Sequence, residues 1–318
     1  MNNTANRPAS NLKSKIDLIV ILGPTASGKT AFAAHLATAL NGEILSADSR
    51  QVYRGMTIGT GKDYDDYKIG DIAVPCHLID LVDPGDTYNV YQYQHDFYDA
   101  YNSIREEKKT PILCGGSGMY LEAVMKAYQL IEVPPDHEYR AVLEQKSDNE
   151  LIGLLTDMGE LHNTTDTSSR KRMIRAIEIA RYYQTHSVRK VEYPDLKYKV
   201  LGVRFDRQSE RKRITIRLQQ RLEEGMVEEV KSLIDKYGSE TMEFYGLEYK
   251  YIAWYLAGKL SYDEMFAKLN TAIHQFAKRQ MTWFRRMQRN GISIHWIDGY
   301  TPMEGKIRQA IDYLNREN

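Results

Sequence analysis

Residues 23–30, GPTASGKT, constrain this 318-residue chain more than any other stretch. They fit the phosphate-loop pattern G-x-x-x-x-G-K-[ST]. Ahead of them stand Ile16 and then Leu18, Ile19, Val20, Ile21 and Leu22, an apolar, β-branched run that reads as a buried strand. Behind them Ala31 to Leu40 is rich in alanine and leucine and reads as a helix. Strand, glycine turn and helix in that order open an α/β fold with a doubly wound parallel sheet, of the P-loop NTPase-like kind.

The turn suits an anion. Gly23 and Gly28 let the backbone bend tightly. The amides of residues 25–30 then point at one spot before the helix, where the helix dipole favours negative charge. On this reading Gly23, Pro24, Thr25, Ala26, Ser27, Gly28, Lys29 and Thr30 form a phosphate cradle. Lys29 adds a mobile cation and Thr30 a hydroxyl for magnesium.

Composition sets outer bounds. An apolar content of 42% supports a sizeable core, and the length suits two domains. Lys plus Arg equals Asp plus Glu, 43 each, so a nucleic-acid partner has to be sought in local clusters. Cys76 and Cys114 lie in apolar stretches and read as buried, reduced thiols, and no Cys/His spacing fits a metal. Residues 1–15, polar and carrying Pro8, read as a disordered tail. No stretch approaches the ~18 apolar residues of a membrane span. The expectation is a soluble, cytoplasmic monomer without a membrane partner.

Residues 43–46 read as a second strand, followed by Asp48, Ser49, Arg50 and Gln51. Residues just beyond a strand's carboxyl end line the ligand crevice of such sheets. Two readings of Asp48 stand side by side, a crevice carboxylate and a helix cap. Residues 55–62 read as a flexible loop over the crevice, with Lys62 either a second phosphate contact or a solvated lysine. A third strand is expected at 75–80, and an amphipathic helix at 88–108 through Val90, Tyr93, Phe97, Tyr101 and Ile104. Strand 111–114 runs into Gly115–Gly118, a turn that brings backbone amides and Ser117 to the crevice; Ser117 also suits a cap. Residues 131–197 are polar and helical and read as an insertion, because Tyr198 to Phe205 returns as a strand. The core is then 16–130 with 198–318, closed by a helix at about 208–237, a turn at 244–250 into a helix with Trp254 and Tyr255, helices at 261–289 and 302–315 and a strand at 292–297.

Three basic clusters stand out. Arg170, Lys171, Arg175 and Arg181 fall largely outside the stripe of Met173, Ile174, Ile177 and Ala180, as a solvated face or as a contact for a phosphate backbone. Arg213, Arg217 and Arg221 recur every four residues and share one helix face, which repels itself unless anions or carboxylates sit opposite. Lys278, Arg279, Arg285 and Arg286 alternate with Trp283 and Phe284, a mixture that suits RNA or, equally, a packed tryptophan with a basic rim.

Taken together, GPTASGKT at 23–30, SADSRQVYRGMTIGTGK at 46–62, HLID at 77–80, GGSGMY at 115–120, SSRKRMIRAIE at 168–178, EEGMVEEV at 223–230, SYDEM at 261–265 and AKRQMTWFR at 277–285 resemble the tRNA dimethylallyltransferase (tRNA isopentenyltransferase) family over residues 16–298. The resemblance implies transfer of a dimethylallyl group from dimethylallyl diphosphate to the exocyclic amine of the adenosine 3′ of the tRNA anticodon. It implies catalytic roles for Asp48 as proton acceptor, Ser117 as an orienting hydroxyl and Arg217 on the leaving diphosphate. Mg2+ is the implied cofactor, held at Thr30. The anticodon stem-loop of tRNA would meet Asp48, Ser49, Arg50, Gln51, Ser117, Lys171, Arg172, Arg175, Lys250, Lys278, Arg279, Gln280 and Arg285, with the 131–197 insertion as a tRNA-binding domain.

Three positions depart from the family pattern. Ser117 stands where Thr is common, IGTGKD replaces IGTAKP at 58–63, and GLEYK at 246–250 replaces a GYKE-like turn. Two rival readings use the same loop: a small-molecule or nucleotide kinase, and a non-catalytic RNA-binding NTPase.

Overall fold

In a computed structural model the described residues are 16–158, 169–186 and 191–316, so the expected tail at 1–15 lies outside them. The chain divides into two compact units, Gln129–Tyr193 and the remainder.

The larger unit begins β1 (Leu18–Leu22), α1 (Lys29–Leu40), β2 (Gly42–Ala47), a small antiparallel pair β3 (Lys68–Ile69) and β4 (Ile72–Ala73), β5 (Cys76–His77), α2 (Val90–Glu106), β6 (Thr110–Gly115) and α3 (Gly118–Met125). The smaller unit holds α4 (His137–Glu144), α5 (Asp148–Asp157) and α6 (Arg170–Thr185). The chain then returns with β7 (Tyr198–Arg204), α7 (Arg207–Glu223), α8 (Met226–Tyr237), α9 (Ser239–Tyr245), α10 (Leu247–Leu256), α11 (Tyr262–Arg289), β8 (Ile294–Asp298) and α12 (Met303–Leu314).

Six strands form one parallel sheet in the order β5-β2-β6-β1-β7-β8. Every residue of β1 is buried, as a strand covered by helices on both faces must be. Ile19 and Ile21 pack with Phe32 and Leu36 of α1, Ile112 of β6 and Leu201 of β7 in the sheet's core. A second core joins α7, α8, α10 and α11 through Ile214, Leu218, Val230, Tyr249, Leu269 and Ile273. α11 starts on a capping box of Ser261 and Glu264, and its buried residues Met265, Leu269, Ala272, Ile273, Ala277, Gln280, Phe284 and Met287 follow the helical period.

Three expectations change. β5 stops at His77, because Leu78 and Asp80 take φ of 65° and 53° and turn the chain out of the sheet. The helix expected at 208–237 is two helices, broken at Gly225, whose φ of 98° belongs to no helix interior. The insertion ends before Pro194 and not at 197. The Lys197 carbonyl accepts from the N–H groups of Asp17 at 2.8 Å and Leu18 at 3.3 Å, which ties that segment to the foot of β1.

In the smaller unit Leu143, Leu151, Leu155, Met173, Ile174 and Ile177 make a core of its own. Asp136 caps α4, and Ser147 with Glu150 caps α5.

Candidate active site

Sheet register assembles the site. Leu22, the last residue of β1, pairs with Gly115 of β6, and Gly115 pairs with Ala47, the last residue of β2. Three carboxyl ends therefore finish level. The 23–30 turn, Asp48 and the Gly115–Gly118 turn leave the sheet side by side, at the point where strand order reverses. A cavity of about 940 Å³ opens there, lined among others by Lys29, Asp48, Arg217 and Arg279.

Of the phosphate-loop residues, Thr25, Ala26, Gly28, Lys29 and Thr30 line this cavity. Gly23, Pro24 and Ser27 do not: they are buried beneath the turn and shape it. Nor do all the loop amides face the cavity as expected. Thr25 N–H donates to Gln280 Oε1 at 2.9 Å and Ser27 N–H to the Pro24 carbonyl at 3.3 Å. The donors left are the amides of Ala26 and Gly28 and the first-turn amides of α1, which begins at Lys29 after Gly28 and has no side-chain cap. Burial lowers the pKa of Lys29; Cys114 and Asp48 oppose that, while Arg217 and Arg221 add to it. An entering anion would relieve this crowding of positive charge. The neighbouring thiols are inert, since burial pushes both Cys76 and Cys114 up to about 12.

Asp48 lines the cavity and caps no helix; its Oδ1 accepts from Arg50 N–H at 3.0 Å, which fixes the carboxylate in an Asx-type turn. Ser117 precedes α3 without capping it. Its hydroxyl accepts from Ser49 N–H at 3.0 Å and lies 3.3 Å from Ser49 Oγ, so it braces the turn that carries Asp48. Gln51 is buried and engaged: its Oε1 accepts from Ser46 Oγ at 3.1 Å and its Nε2 donates to the Gly61 carbonyl at 2.9 Å. Arg50 lines the cavity and lies over the Phe244 ring at 5.7 Å.

The arginine row of α7 faces the same cavity. Arg213 is anchored by a 2.9 Å bond from its Nε to the Ala26 carbonyl and by stacking on Phe205. Arg217 pairs with Asp63 Oδ2, and Arg221 Nη2 stands 3.6 Å from Asp63 Oδ1. Arg221 is 9% exposed, and among the described residues its Nη2 has no hydrogen-bond partner. Such a cation is costly to desolvate unless an anion completes it. Glu248, also in the cavity, has its carboxyl pKa raised by burial against the pull of Arg221.

Residues 55–62 are not the flexible loop expected. Glu229 of α8 accepts from three successive N–H groups, Thr57 at 3.0 Å, Ile58 at 2.8 Å and Gly59 at 3.0 Å, and from Tyr249 Oη at 2.8 Å. Lys62 neither meets the cavity nor is solvated. It is buried and donates to the Tyr53 carbonyl and to Asp80. Asp63 and Glu229 escaped sequence reasoning: Glu229 because its partners are backbone groups, Asp63 because its partners lie more than 150 residues along the chain.

The carboxyl-terminal helices give a mixed result. Lys250 and Arg279 line the cavity, Lys250 over Trp254 at 4.6 Å and Arg279 over Phe276 at 5.9 Å. Lys278 and Arg285 are exposed on α11. Gln280, expected to touch RNA, also lines the cavity, from the buried stripe; its amide accepts from Thr25 N–H and donates to the Gly116 carbonyl at 3.1 Å. Trp283 covers Gly118 under Arg286, the packed alternative of the sequence reading. In the smaller unit Lys171 and Arg172 are exposed, whereas Arg175 donates to the Val133 carbonyl at 2.7 Å and to Glu178 at 3.3 Å.

Among the described residues no group of three or more His, Cys, Asp or Glu side chains is placed to hold a metal ion. The Thr30 hydroxyl in the cavity fits a different arrangement. Mg2+ commonly keeps its waters and rides on substrate phosphates with one or two protein ligands.

A phosphate loop at the switch point of a parallel sheet, opening on a cleft where Lys29 and the arginine row face the fixed carboxylate of Asp48, defines a phosphate-loop protein with room for an anionic substrate and a second group beside it. Comparison with known proteins narrows this. A family profile described as IPP transferase matches residues 51–287, and one described as isopentenyl transferase matches 16–70. A tRNA dimethylallyltransferase 2 of Bacteroides fragilis is 56% identical over 292 residues, covering 92% of this chain and 95% of that one. The crystal structure of a tRNA isopentenylpyrophosphate transferase from Bacillus halodurans superposes with a TM-score of 0.68 at 31% identity, covering 94% of this chain and 96% of that one. A eukaryotic dimethylallyltransferase acting on tRNA shares the fold, with a TM-score of 0.73 at 22% identity, covering 92% and 77%. The chain belongs to the IPP transferase family, the tRNA dimethylallyltransferases. Among the described residues no helix is long and apolar enough to cross a membrane.

Proposed function

We propose that this protein transfers the dimethylallyl group of dimethylallyl diphosphate to the exocyclic amine of the adenosine 3′ of the tRNA anticodon and releases diphosphate. The observation that carries the proposal is convergence: Lys29, Arg217 and the fixed carboxylate of Asp48 line one cavity. Diphosphate sits on the first-turn amides of α1, beside Lys29 and the arginine row. The allylic carbon–oxygen bond breaks as these cations take up the charge growing on the leaving group. Asp48, held by Arg50 N–H, accepts the proton that the amine sheds as its nitrogen bonds to carbon. Ser117 and Ser49 hold that turn in place. Thr30 would hold Mg2+, which when bound supplies further charge neutralisation at diphosphate.

The adenosine leaves its stack to reach the cavity, at a cost of a few kcal/mol. Contacts at the rim offset this: Arg50 and Arg279 beside exposed Phe244 and Phe276, and Lys250, offer cations and ring faces to unstacked bases. Lys278 and Arg285, and Lys171 and Arg172 of the inserted unit, add phosphate contacts. On this reading the protein acts as a monomer, in the cytoplasm with its tRNA substrate.

The test is incubation with dimethylallyl diphosphate and unmodified tRNA, followed by mass spectrometry of the nucleosides. Prenylated adenosine 3′ of the anticodon is the expected product. Phosphorylated product, or ATP hydrolysis without transfer, would replace this reading with a kinase or an RNA-binding NTPase.

A further inference from the structure

The arginine fork that serves the diphosphate site already holds an anion of the protein's own. Asp63 stands at the head of the short helical turn Tyr64–Tyr67 without capping it. Its Oδ2 accepts from Arg217 Nη2 and its Oδ1 lies 3.6 Å from Arg221 Nη2. Gly61 is packed so closely under the fork that a Cβ there would collide with Arg221 Nη2 and come within 3.0 Å of Arg217 Nη2. The segment is fixed: Glu229 clamps residues 57–59, Gln51 holds the Gly61 carbonyl and Lys62 is buried. Asp63 is thus delivered to the fork by a rigid loop and not by chance of a mobile surface chain.

We propose that Asp63 is a specificity-setting counter-anion of the diphosphate site, which any entering anion must displace from Arg217. The proposal rests on the cleft being a diphosphate site. The Asp63 and Arg217 side chains are 42% and 31% exposed, so solvent screens their pair and displacement is cheap. Diphosphate carries more charge than one carboxylate and gains Lys29 and the α1 amides as well, so it wins the exchange. A weakly held anion gains less and is excluded. Asp63 also shields two arginines that would otherwise repel each other. Substrate affinity is lowered while the fork is held in its working shape.

The test measures binding of inorganic diphosphate with Mg2+ by calorimetry, and KM for dimethylallyl diphosphate, in wild type, Asp63→Asn and Asp63→Pro. Proline is compatible with the φ of −76° at this position and removes the carboxylate differently. Asp65→Asn, which removes a charge from an exposed side chain two residues away, is the control for long-range electrostatics. Both Asp63 variants should bind diphosphate and substrate about three- to tenfold more tightly, with the gain shrinking at high salt and absent in Asp65→Asn. Unchanged or weaker diphosphate binding in both Asp63 variants, with wild type binding normally, overturns the role of Asp63 alone. A wild type that binds no diphosphate removes the site itself, and the proposal with it.

Discussion

Two helices carry runs of basic residues, α6 in the inserted unit and α7 in the core, and they use them in opposite ways. On α6 two of the charges are matched within their own unit, while Lys171 and Arg172 are exposed: Arg170 meets Glu144, Asp148 and three backbone carbonyls, and Arg175 meets Glu178 and the Val133 carbonyl. On α7, Arg213, Arg217 and Arg221 are turned into a cavity, with Asp63 as the one ion-pair partner of Arg217 and Arg221 among the described residues. The first arrangement spends charge on holding three helices together. The second leaves charge under-compensated where an anion can complete it. A cluster of basic residues is therefore no evidence of ligand binding until its internal partners are known; what distinguishes a site is desolvated charge without a full set of partners.

This contrast has sharp consequences for chemistry. Asp48→Asn should cost most, because the amide keeps the turn but accepts no proton: kcat falls about 10²–10⁴-fold, with tRNA binding intact. Steady-state kinetics beside a filter-binding titration read both quantities. A normal kcat would return Asp48 to a purely structural part. Next comes Lys29→Ala, which removes a cation aimed at growing negative charge. Turnover should drop about 10²–10³-fold and diphosphate affinity should fall with it. The matching substitution on α6, Arg170→Ala, should leave kcat within a factor of about two, since its partners are structural. Equal losses in the two variants would erase the distinction between the helices.

A smaller effect is expected at Glu229, which touches no substrate group. Glu229→Gln leaves an amide oxygen where a carboxylate gathers three N–H donors and the Tyr249 hydroxyl, so the 57–59 turn loosens. Because that turn places Asp63 at the arginine fork, KM for the diphosphate substrate should shift about tenfold or less. Hydrogen exchange at residues 57–61 should rise in parallel. Slower turnover without faster exchange would mean that Glu229 acts other than by positioning the loop.

What could be read from the chain beforehand follows the range of the interactions. The phosphate loop was legible because pattern, preceding strand and following helix all lie within residues 16–40. The placement of Asp48 followed from topology alone, one residue beyond β2. The inserted unit showed as an interruption between strands, though its end was set too late because the Asp17–Lys197 bonds join segments 180 residues apart. One reading failed for want of conformation, since Gly225 adopts a left-handed φ that splits one expected helix in two; the internal bonds of Gln280, on the buried stripe of α11 three residues after Ala277, carry no signal in the chain itself. The clamp at Glu229 had no sequence signal, since backbone N–H groups look alike in every residue.

The smallest effect on catalysis, and the most direct probe of the inserted unit, is expected at Glu178. This carboxylate is 4% exposed. It accepts from Arg140 Nε and Nη2, both at 2.7 Å, from Asp136 N–H at 3.0 Å and from Arg175 at 3.3 Å. Burial alone would raise its pKa, but these donors reverse that and hold it below the ordinary 4.5. A carboxylate whose folded pKa lies below its unfolded value contributes stability above pH 4.5 and loses it as pH falls through the folded value. Protection of residues 137–157 against hydrogen exchange, corrected for the intrinsic rate, should therefore decline below that pH while the strands of the core hold. Glu178→Ala should weaken the unit by about 1–3 kcal/mol at neutral pH, less than a fully buried pair would lose, because Arg140 and Arg175 reach solvent once released. Its kcat at saturating substrates should stay near wild type, since nothing in the phosphate cleft depends on it. If instead kcat fell as in Lys29→Ala while residues 137–157 kept their protection, Glu178 would belong to the reaction and the two helices would no longer divide the labour between folding and charge.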